Sequence, residues 1–142
     1  MNDDRVHAAV TRAPLDIGAC QARVARSGAG AVLTFVGTVR DEKQGRSVLY
    51  IDYEAYEPMA EKVLGRIGAE MCARWPTCAA ALEHRIGRVE VGEPSIVIVV
   101  STPHRAEGFE ALRYGIEAVK HDLPVWKKEY FADGAVWVQE GS

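Results

Sequence analysis

Two lysines near the C-terminus are the residues of this sequence best suited to covalent or proton-transfer chemistry. Lys120 ends a predicted helix, Lys127 lies in the strand that follows, and Pro124 separates them. Because the chain must bend at the proline, we expect both amines to reach one pocket. Nearby ammonium groups repel and partial burial disfavours charge, so both effects lower a lysine pKa. The pair therefore predicts a nucleophile or a proton shuttle, although a lysine at a helix C-terminus also complements the helix dipole.

A second candidate is the segment 101–105, which lies between a predicted strand and a predicted helix. The first amides of a helix lack internal partners and its dipole attracts an anion. His104 and Arg105 at that point would bind phosphate or carboxylate, and the arginine offers a bidentate fork. The alternative is that Ser101 or Thr102 caps the helix and the basic pair is solvated. Arg40 ends another predicted strand and is a third candidate for an anion clamp.

The remaining chemistry-bearing residues favour structural roles. His84 and Arg85 are neighbours within a predicted strand, so their side chains point to opposite faces and do not easily converge on one ligand. We interpret His84 as a hydrogen-bonded sheet residue and Arg85 as structural. The sequence has three cysteines and no Cys-x-x-Cys pair, which argues against a disulfide framework or a zinc site. We interpret Cys20, Cys72 and Cys78 as buried apolar residues.

Hydrophobic patterns predict the elements that must position these residues. Strands are predicted over residues 5–12, 31–39, 48–53, 82–86, 96–100, 125–131 and 135–138. Helices are predicted over residues 14–26, 58–75 and 104–121. Pro14 suits the first turn of the first helix. The apolar stripes expected to face the core are Met59, Val63, Ile67 and Met71 in the second helix, and Phe109, Leu112, Ile116 and Val119 in the third.

Three glycines predict irregular backbone. Gly37 inside the 31–39 strand indicates a bulge or a close backbone approach. Gly87 marks the point where the facing of the apolar residues changes. The pair Asp133-Gly134 predicts a two-residue hairpin turn. Strands and helices therefore mix without strict alternation. We predict an α+β fold, a mostly antiparallel sheet with packed helices and a C-terminal hairpin, in a single catalytic domain over residues 1–142.

Composition excludes several classes of function. The 142 residues include 48% hydrophobic residues, enough for a core, and the net charge of −3 argues against a general nucleic-acid binder. The longest apolar run, residues 96–100, is too short to span a membrane. The N-terminus shows no secretory pattern, so we expect a cytoplasmic location. Any anion site must then be a local basic cluster.

Several motifs in shared order resemble the large, catalytic subunit family of molybdopterin synthase. They are Phe35-x-Gly37-x-x-Arg40, Tyr53-Glu54-Ala55-Tyr56-x-x-Met59-Ala60, His84-Arg85-x-Gly87, Val91-Gly92-Glu93, His104-Arg105-x-x-x-Phe109 and Lys120-x-x-x-Pro124-x-Trp126-Lys127-Lys128-Glu129. The resemblance runs from about residue 30 to Trp137, and the last motif is the most specific.

The resemblance implies a hammerhead-like α+β arrangement and a homodimer at the centre of a heterotetramer. A small ubiquitin-like sulfur-carrier subunit would insert its Gly-Gly C-terminus, which carries a thiocarboxylate. Sulfur would pass to cyclic pyranopterin monophosphate and form the dithiolene of molybdopterin, with no metal and no cofactor. By position, Lys120 and Lys127 match the catalytic lysines. The residues that match substrate- or tail-binding segments are Thr38, Val39, Arg40, His104, Arg105, Lys128 and Glu129. Phe35 and Ile116 would pack the pocket, and Ile116 stands where some relatives have methionine.

Other functions stay open from the residues alone. The chain could be a binding module that grips a ubiquitin-like tail without catalysis, although such a module does not require two lysines. It could be a phosphate-dependent lyase that uses a lysine imine. A purely structural role leaves the clustered basic residues unexplained.

Overall fold

The computed structural model describes residues 4–142, which form nine strands and three helices. The strands are β1 (Val6–Thr11), β2 (Ala31–Thr38), β3 (Glu42–Lys43), β4 (Arg46–Ala55), β5 (Ala79–Arg85), β6 (Gly87–Glu90), β7 (Pro94–Thr102), β8 (Val125–Phe131) and β9 (Val136–Glu140). The helices are α1 (Ile17–Val24), α2 (Glu57–Arg74) and α3 (Arg105–Asp122).

The first sheet has the strand order β1-β5-β7-β2 and forms the centre of the molecule. The β1–β5 pair is parallel, and the β5–β7 and β7–β2 pairs are antiparallel. Alternate residues of β5 and β7 face opposite sides. Helices α2 and α3 pack on one face, against Leu82 and Ile98. Helix α1 packs on the other face, where Cys20 and Val24 contact Val97.

The second sheet has the order β3-β4-β8-β9, with β6 also paired to β4. The chain crosses from the first sheet to the second at Ile86, and Gly87, with a φ of 85°, begins β6. The change of facing therefore occurs at Gly87 as predicted, but its cause is a change of sheet and not a bulge within one strand. A single core cluster joins the two sheets, with Val48 and Ile51 of β4 packing in the same cluster as Ile98 of β7.

The helices depart from the sequence-based expectations in two respects. Helix α1 begins at Ile17, and the Asp16 side chain accepts a hydrogen bond from the Ala19 amide as its N-cap. Pro14 is thus not in the first turn, since a capping carboxylate two residues later fixes the start. The expected stripes are partly wrong, because Met59 and Phe109 are exposed by 54% and 63%.

Small residues set the buried face of α3. They are Gly108, Ala111 and Gly115, together with Val119. A Cβ added at Gly115 would lie 2.8 Å from the Met71 sulfur of α2. Because the helix needs this close approach, the large apolar residues at the edges of the face are displaced from the core.

The C-terminal hairpin is present, but its turn is longer than predicted. The Phe131 amide donates to the Ala135 carbonyl, and Gly134 has a φ of 89°. The loop therefore has three residues with glycine in the left-handed region, not two. The α+β class, the mostly antiparallel pairing and the C-terminal hairpin are confirmed. No helix in residues 4–142 is long and apolar enough to cross a membrane.

Candidate active site

A cavity of about 530 Å³ lies between the end of β2, the C-terminal part of α3 and the face of β8. The lining residues that the sequence singled out are Phe35, Thr38, Val39, Arg40, Ile116, Lys120, Lys127 and Glu129. The structure thus brings together most of the predicted site residues. The volume suits a small organic ligand or the end of an extended peptide.

Lys120 and Lys127 reach this cavity from opposite sides of the bend at Pro124. Lys120 is in the last turn of α3, where the Leu123 amide donates to the Val119 carbonyl and closes the helix. Lys127 lies in β8, opposite Tyr53 of β4. Neither amine has a hydrogen bond or ion pair with any of residues 4–142. Both are therefore available to a ligand.

The charge state of Lys127 is shifted by its surroundings. Burial lowers the pKa of this amine, and the nearby cations Lys43, Lys120 and Arg40 lower it further. Glu129 acts in the opposite direction and raises it. The net direction is downward, as expected for a half-buried ammonium group among other cations. Lys127 is the lysine of the cavity better suited to lose or exchange a proton.

The end of β2 forms the wall that carries Arg40. The pairing of β2 with β7 shifts register between Gly37 and Thr38, so the predicted irregularity at Gly37 is confirmed. A Cβ at Gly37 would lie 2.7 Å from Ile96 Cγ2. Beyond the bulge, the Val39 amide donates to the Glu93 carbonyl, and Arg40 follows at the exposed rim of the cavity. A rim guanidinium can bind an anionic group of a ligand.

Lys128 and Glu129 lie on opposite sides of β8, as strand alternation requires. Lys128 is outside the cavity, with its Nζ 3.9 Å from a Glu54 carboxylate oxygen. Glu129 is inside and only 3% exposed. Lys43 donates a hydrogen bond of 2.6 Å to Glu129 Oε1. The proposal of a ligand contact is therefore stronger for Glu129 than for Lys128.

The sequence reasoning missed several cavity residues. They are Glu42, Lys43, Tyr53, Ser95, Gln139 and Ser142, among others. Lys43 lies in the short polar segment between the strands predicted over residues 31–39 and 48–53. The Gln44-Gly45 pair beside it was the available signal, because such a pair favours a tight hairpin turn. Gln139 and Ser142 lie near the C-terminus, where no motif pointed to a site.

His84 lies beneath the cavity and is neutral. Its Nδ1 donates to the Arg85 carbonyl at 2.7 Å, so its Nε2 accepts from the Ser142 hydroxyl at 2.9 Å. Burial lowers the pKa of His84 to about 4. Arg85 contacts Glu93, with Nη1 3.2 Å from Oε2. The interpretation of His84 as a hydrogen-bonded sheet residue is confirmed.

His104 and Arg105 line a different depression, of about 390 Å³, with Gly30, Ala31, Pro103 and Ala106. His104 is the N-cap residue of α3, and its side chain makes no capping bond. The alternative that Ser101 or Thr102 caps the helix is wrong. The Ser101 hydroxyl donates to the Val24 carbonyl and the Thr102 hydroxyl to the His104 carbonyl. The basic pair and the first amides of α3 remain exposed to a ligand.

One chain cannot bring the two basic clusters to one small ligand. Arg105 begins α3 and Lys120 lies in its last turn. At 1.5 Å per residue, the helix separates them by roughly 22 Å. The single basic pocket expected from the sequence is therefore two sites at opposite ends of one helix.

The three cysteines are buried, and none of them forms a disulfide with any of residues 4–142. Burial, followed by the neighbouring Glu83, raises the pKa of Cys20 to about 12. The pKa of Cys78 is also raised, first by its contact with Cys72 and then by burial. The interpretation of all three as buried apolar residues is confirmed.

Comparison with known proteins gives a consistent result. A family model described as MoaE protein matches residues 10–122. The chain is 48% identical over 130 residues to the molybdopterin synthase catalytic subunit of Halalkalibacterium halodurans, covering 92% of this chain and 83% of that protein. The crystal structure of molybdopterin synthase from Staphylococcus aureus superposes with a TM-score of 0.89 at 36% identity, over 93% of this chain and 96% of that one. The complex of subunits 1 and 2 of the molybdopterin-converting factor from Helicobacter pylori shares the fold, with a TM-score of 0.73 at 22% identity over 91% and 86% of the two chains.

Proposed function

The chain belongs to the MoaE protein family, and we propose that it is the sulfur-transferring, catalytic subunit of a molybdopterin synthase. The partner is a small ubiquitin-like sulfur-carrier subunit, and the substrate is cyclic pyranopterin monophosphate. The observation that carries the proposal is the convergence of Lys120 and Lys127 on one cavity whose rim holds Arg40. The catalytic unit is the single domain of residues 1–142, acting in the cytoplasm without a nucleic-acid or membrane partner.

The proposed reaction needs positioning and charge more than a new reactive group. The thiocarboxylate sulfur of the partner bonds to a pterin carbon and displaces an oxygen substituent from it, which gives a thioester between tail and pterin. Water then hydrolyses the thioester, so the tail leaves as a carboxylate and the sulfur stays on the pterin. Lys120 acts nearest the reacting carbon or the acyl group. Lys127 steadies developing negative charge or moves protons, which its lowered pKa favours. Preorganised cations at such a site stabilise the transition state without reorganising during the reaction.

The phosphate and the tail carboxylate require further cations. Arg40 is on the cavity rim, whereas His104 and Arg105 are at the far end of α3. We infer that a second copy of the chain presents its His104 and Arg105 to the cavity of the first. A two-fold arrangement would complete two such sites at once, because each copy would present its His104 and Arg105 to the cavity of the other. This homodimer forms the centre of the proposed heterotetramer.

The direct test is reconstitution from purified components. The chain is mixed with a thiocarboxylated small subunit and cyclic pyranopterin monophosphate, and the dithiolene product is measured. The expected result is product formation that depends on the thiocarboxylate. A chain that binds the partner tail without forming product would instead be a binding module. Irreversible borohydride trapping of the substrate on a lysine would favour the lyase chemistry.

A further inference from the structure

Lys43 is placed by a hairpin whose turn is unusually tight. Strand β3 pairs with the start of β4, with Lys43 opposite Arg46. The two residues between them, Gln44 and Gly45, have φ values of 52° and 78°. Positive φ at both positions is the geometry of a two-residue hairpin turn that matches the strand twist. The turn fixes β3 over the cavity, and Lys43 lines its wall.

The Lys43 amine joins three strands at the cavity wall. It donates 2.6 Å to Glu129 Oε1 of β8 and 2.9 Å to Gln139 Oε1 of β9. It also lies 5.9 Å from the ring centroid of Trp137. The side chains of Lys43 and Glu129 are only 24% and 4% exposed. A charge pair this enclosed is screened little by solvent, so removing one partner leaves the other uncompensated.

Glu129 has two neighbouring amines as potential partners, those of Lys43 and Lys127. It is the only acidic side chain among residues 4–142 that is fully buried. Lys127 precedes it by two positions on β8, so both side chains point to the same face. Lys43 holds the carboxylate, and Lys127 forms no ion pair within the described chain. The buried Glu129 carboxylate thus pairs with Lys43, which has no role in the proposed reaction, and not with Lys127.

We propose that Lys43 is a positioning residue that holds Glu129 away from Lys127 and keeps the Lys127 amine free for the reaction. The inference rests on the proposed function of the cavity. Lys43 acts through Glu129 and needs no contact with substrate. Without it, the buried carboxylate would be left uncompensated, and Lys127, two positions away on the same face of β8, would become its partner.

The charged groups around Lys127 determine how the pKa of its amine should change when Lys43 is replaced. Those that alter its pKa come from four elements of the fold and are Glu129, Lys43, Lys120 and Arg40. Glu42 and Tyr53 are the other titratable groups of the wall. Replacing Lys43 by a neutral residue removes one cation that lowers the pKa of Lys127. It also frees Glu129, which raises that pKa. Both changes act in the same direction.

The test follows the Lys127 amine directly, without any turnover. The full-length chain is labelled with lysine carrying ¹³C at the ε position, and the Lys127 signal is assigned by its loss in Lys127→Arg. The titration midpoint is then compared in wild type, Lys43→Met, Lys43→Arg, Glu129→Gln and the double variant Lys43→Met/Glu129→Gln. Lys62→Met, which changes an exposed lysine of α2, is the matched control.

The expected midpoint rises in Lys43→Met, stays near wild type in Lys43→Arg, and falls in Glu129→Gln. The fall caused by Glu129→Gln should be larger in the Lys43→Met background than in the wild-type background, because only without Lys43 is the carboxylate released to pair with Lys127. An unchanged midpoint in Lys43→Met overturns the proposal, as does a fall that is no larger in the Lys43→Met background. Circular dichroism checks folding. If Lys43→Met does not fold, Lys43→Gln is measured in its place and in the double variant, with the same expected results.

Turnover is the second readout, and it separates this inference from the proposed function. The pH profile of Lys43→Met should move in the same direction as the Lys127 midpoint, with the Lys62→Met profile unmoved. A shifted midpoint with an unmoved profile overturns the claim that Lys43 serves the reaction. Absence of turnover in wild type refutes the proposed function alone, since the titration is measured without substrate.

Discussion

The two ends of helix α3 both carry basic residues, but in different surroundings. At the C-terminal end, the exposed Lys120 lines the larger cavity beside the half-buried Lys127. At the N-terminal end, His104 and Arg105 are exposed in a smaller depression. Burial shifts protonation and so favours chemistry, whereas exposed cations at a helix N-terminus favour anion binding. On the proposed function, the reaction takes place at one end of α3 and recognition of the anion at the other.

The largest expected effect is at the buried end. Lys120→Ala should lower turnover at saturating substrate by at least about a hundredfold, because it removes an amine that acts on the reacting groups. Circular dichroism should show an unchanged fold, and Lys62→Ala on α2 should keep wild-type activity. Near-normal turnover by Lys120→Ala would remove the distinction between the two ends.

At the exposed end the effect should fall on binding. Arg105→Ala should raise KM for the pterin by roughly tenfold, since it deletes a charged hydrogen-bond donor, and should change kcat much less. Arg113→Ala, which changes another exposed arginine of α3, is the control. Steady-state kinetics separate the two constants. If Arg105→Ala lowered kcat as Lys120→Ala does, the recognition role would be wrong.

A smaller effect is expected from the backbone beneath the depression. The Gly30 amide donates to the Thr102 carbonyl, and a Cβ at Gly30 would lie 2.5 Å from the Pro103 carbonyl oxygen. Gly30→Ala must therefore move backbone next to His104, at a cost of about 1–3 kcal/mol in unfolding free energy. KM should rise less than in Arg105→Ala. In the matched variant Gly28→Ala the added Cβ has no neighbour within 4 Å, and denaturant unfolding should show little change.

The least effect on activity is expected from His84, whose contribution is to stability at low pH. Burial lowers its pKa to about 4, below the 6.5 of an unfolded histidine. The unfolded chain therefore binds the extra proton first, and the folded state loses stability as pH falls from 6.5 to 4. The loss reaches about 3 kcal/mol below that window. His84→Gln should show a flatter dependence in chemical denaturation, whereas Lys62→Gln, at an exposed lysine of α2, should keep the wild-type slope. Equal slopes for all three would contradict this account.

Local patterns in the sequence predicted much of the fold and the reactive pair. The proline bend predicted the convergence of Lys120 and Lys127, and the glycine in β2 predicted the bulge before Arg40. Apolar spacing predicted the core face of α3 only in part. Val119 is buried as predicted, but Gly108 and Gly115 set the approach of the helix and Phe109 is exposed.

Long-range geometry limited the prediction of the site. Lys43 lies 86 residues from Glu129 along the chain, and no local pattern connects them. The separation of Arg105 from Lys120, in contrast, could have been predicted, because the helix predicted over residues 104–121 already places them at its opposite ends.

The central claim is that the cavity at one end of α3 is completed by the opposite end of α3 from a second copy. Mixing equal amounts of Lys120→Ala and Arg105→Ala subunits tests it most directly, with dithiolene formation measured at a pterin concentration well below the wild-type KM, where Arg105→Ala is also impaired. Random pairing makes half of the dimers mixed, and each mixed dimer holds one intact site, so about a quarter of wild-type activity should return. Activity no higher than the average of the two variants measured separately would contradict the claim.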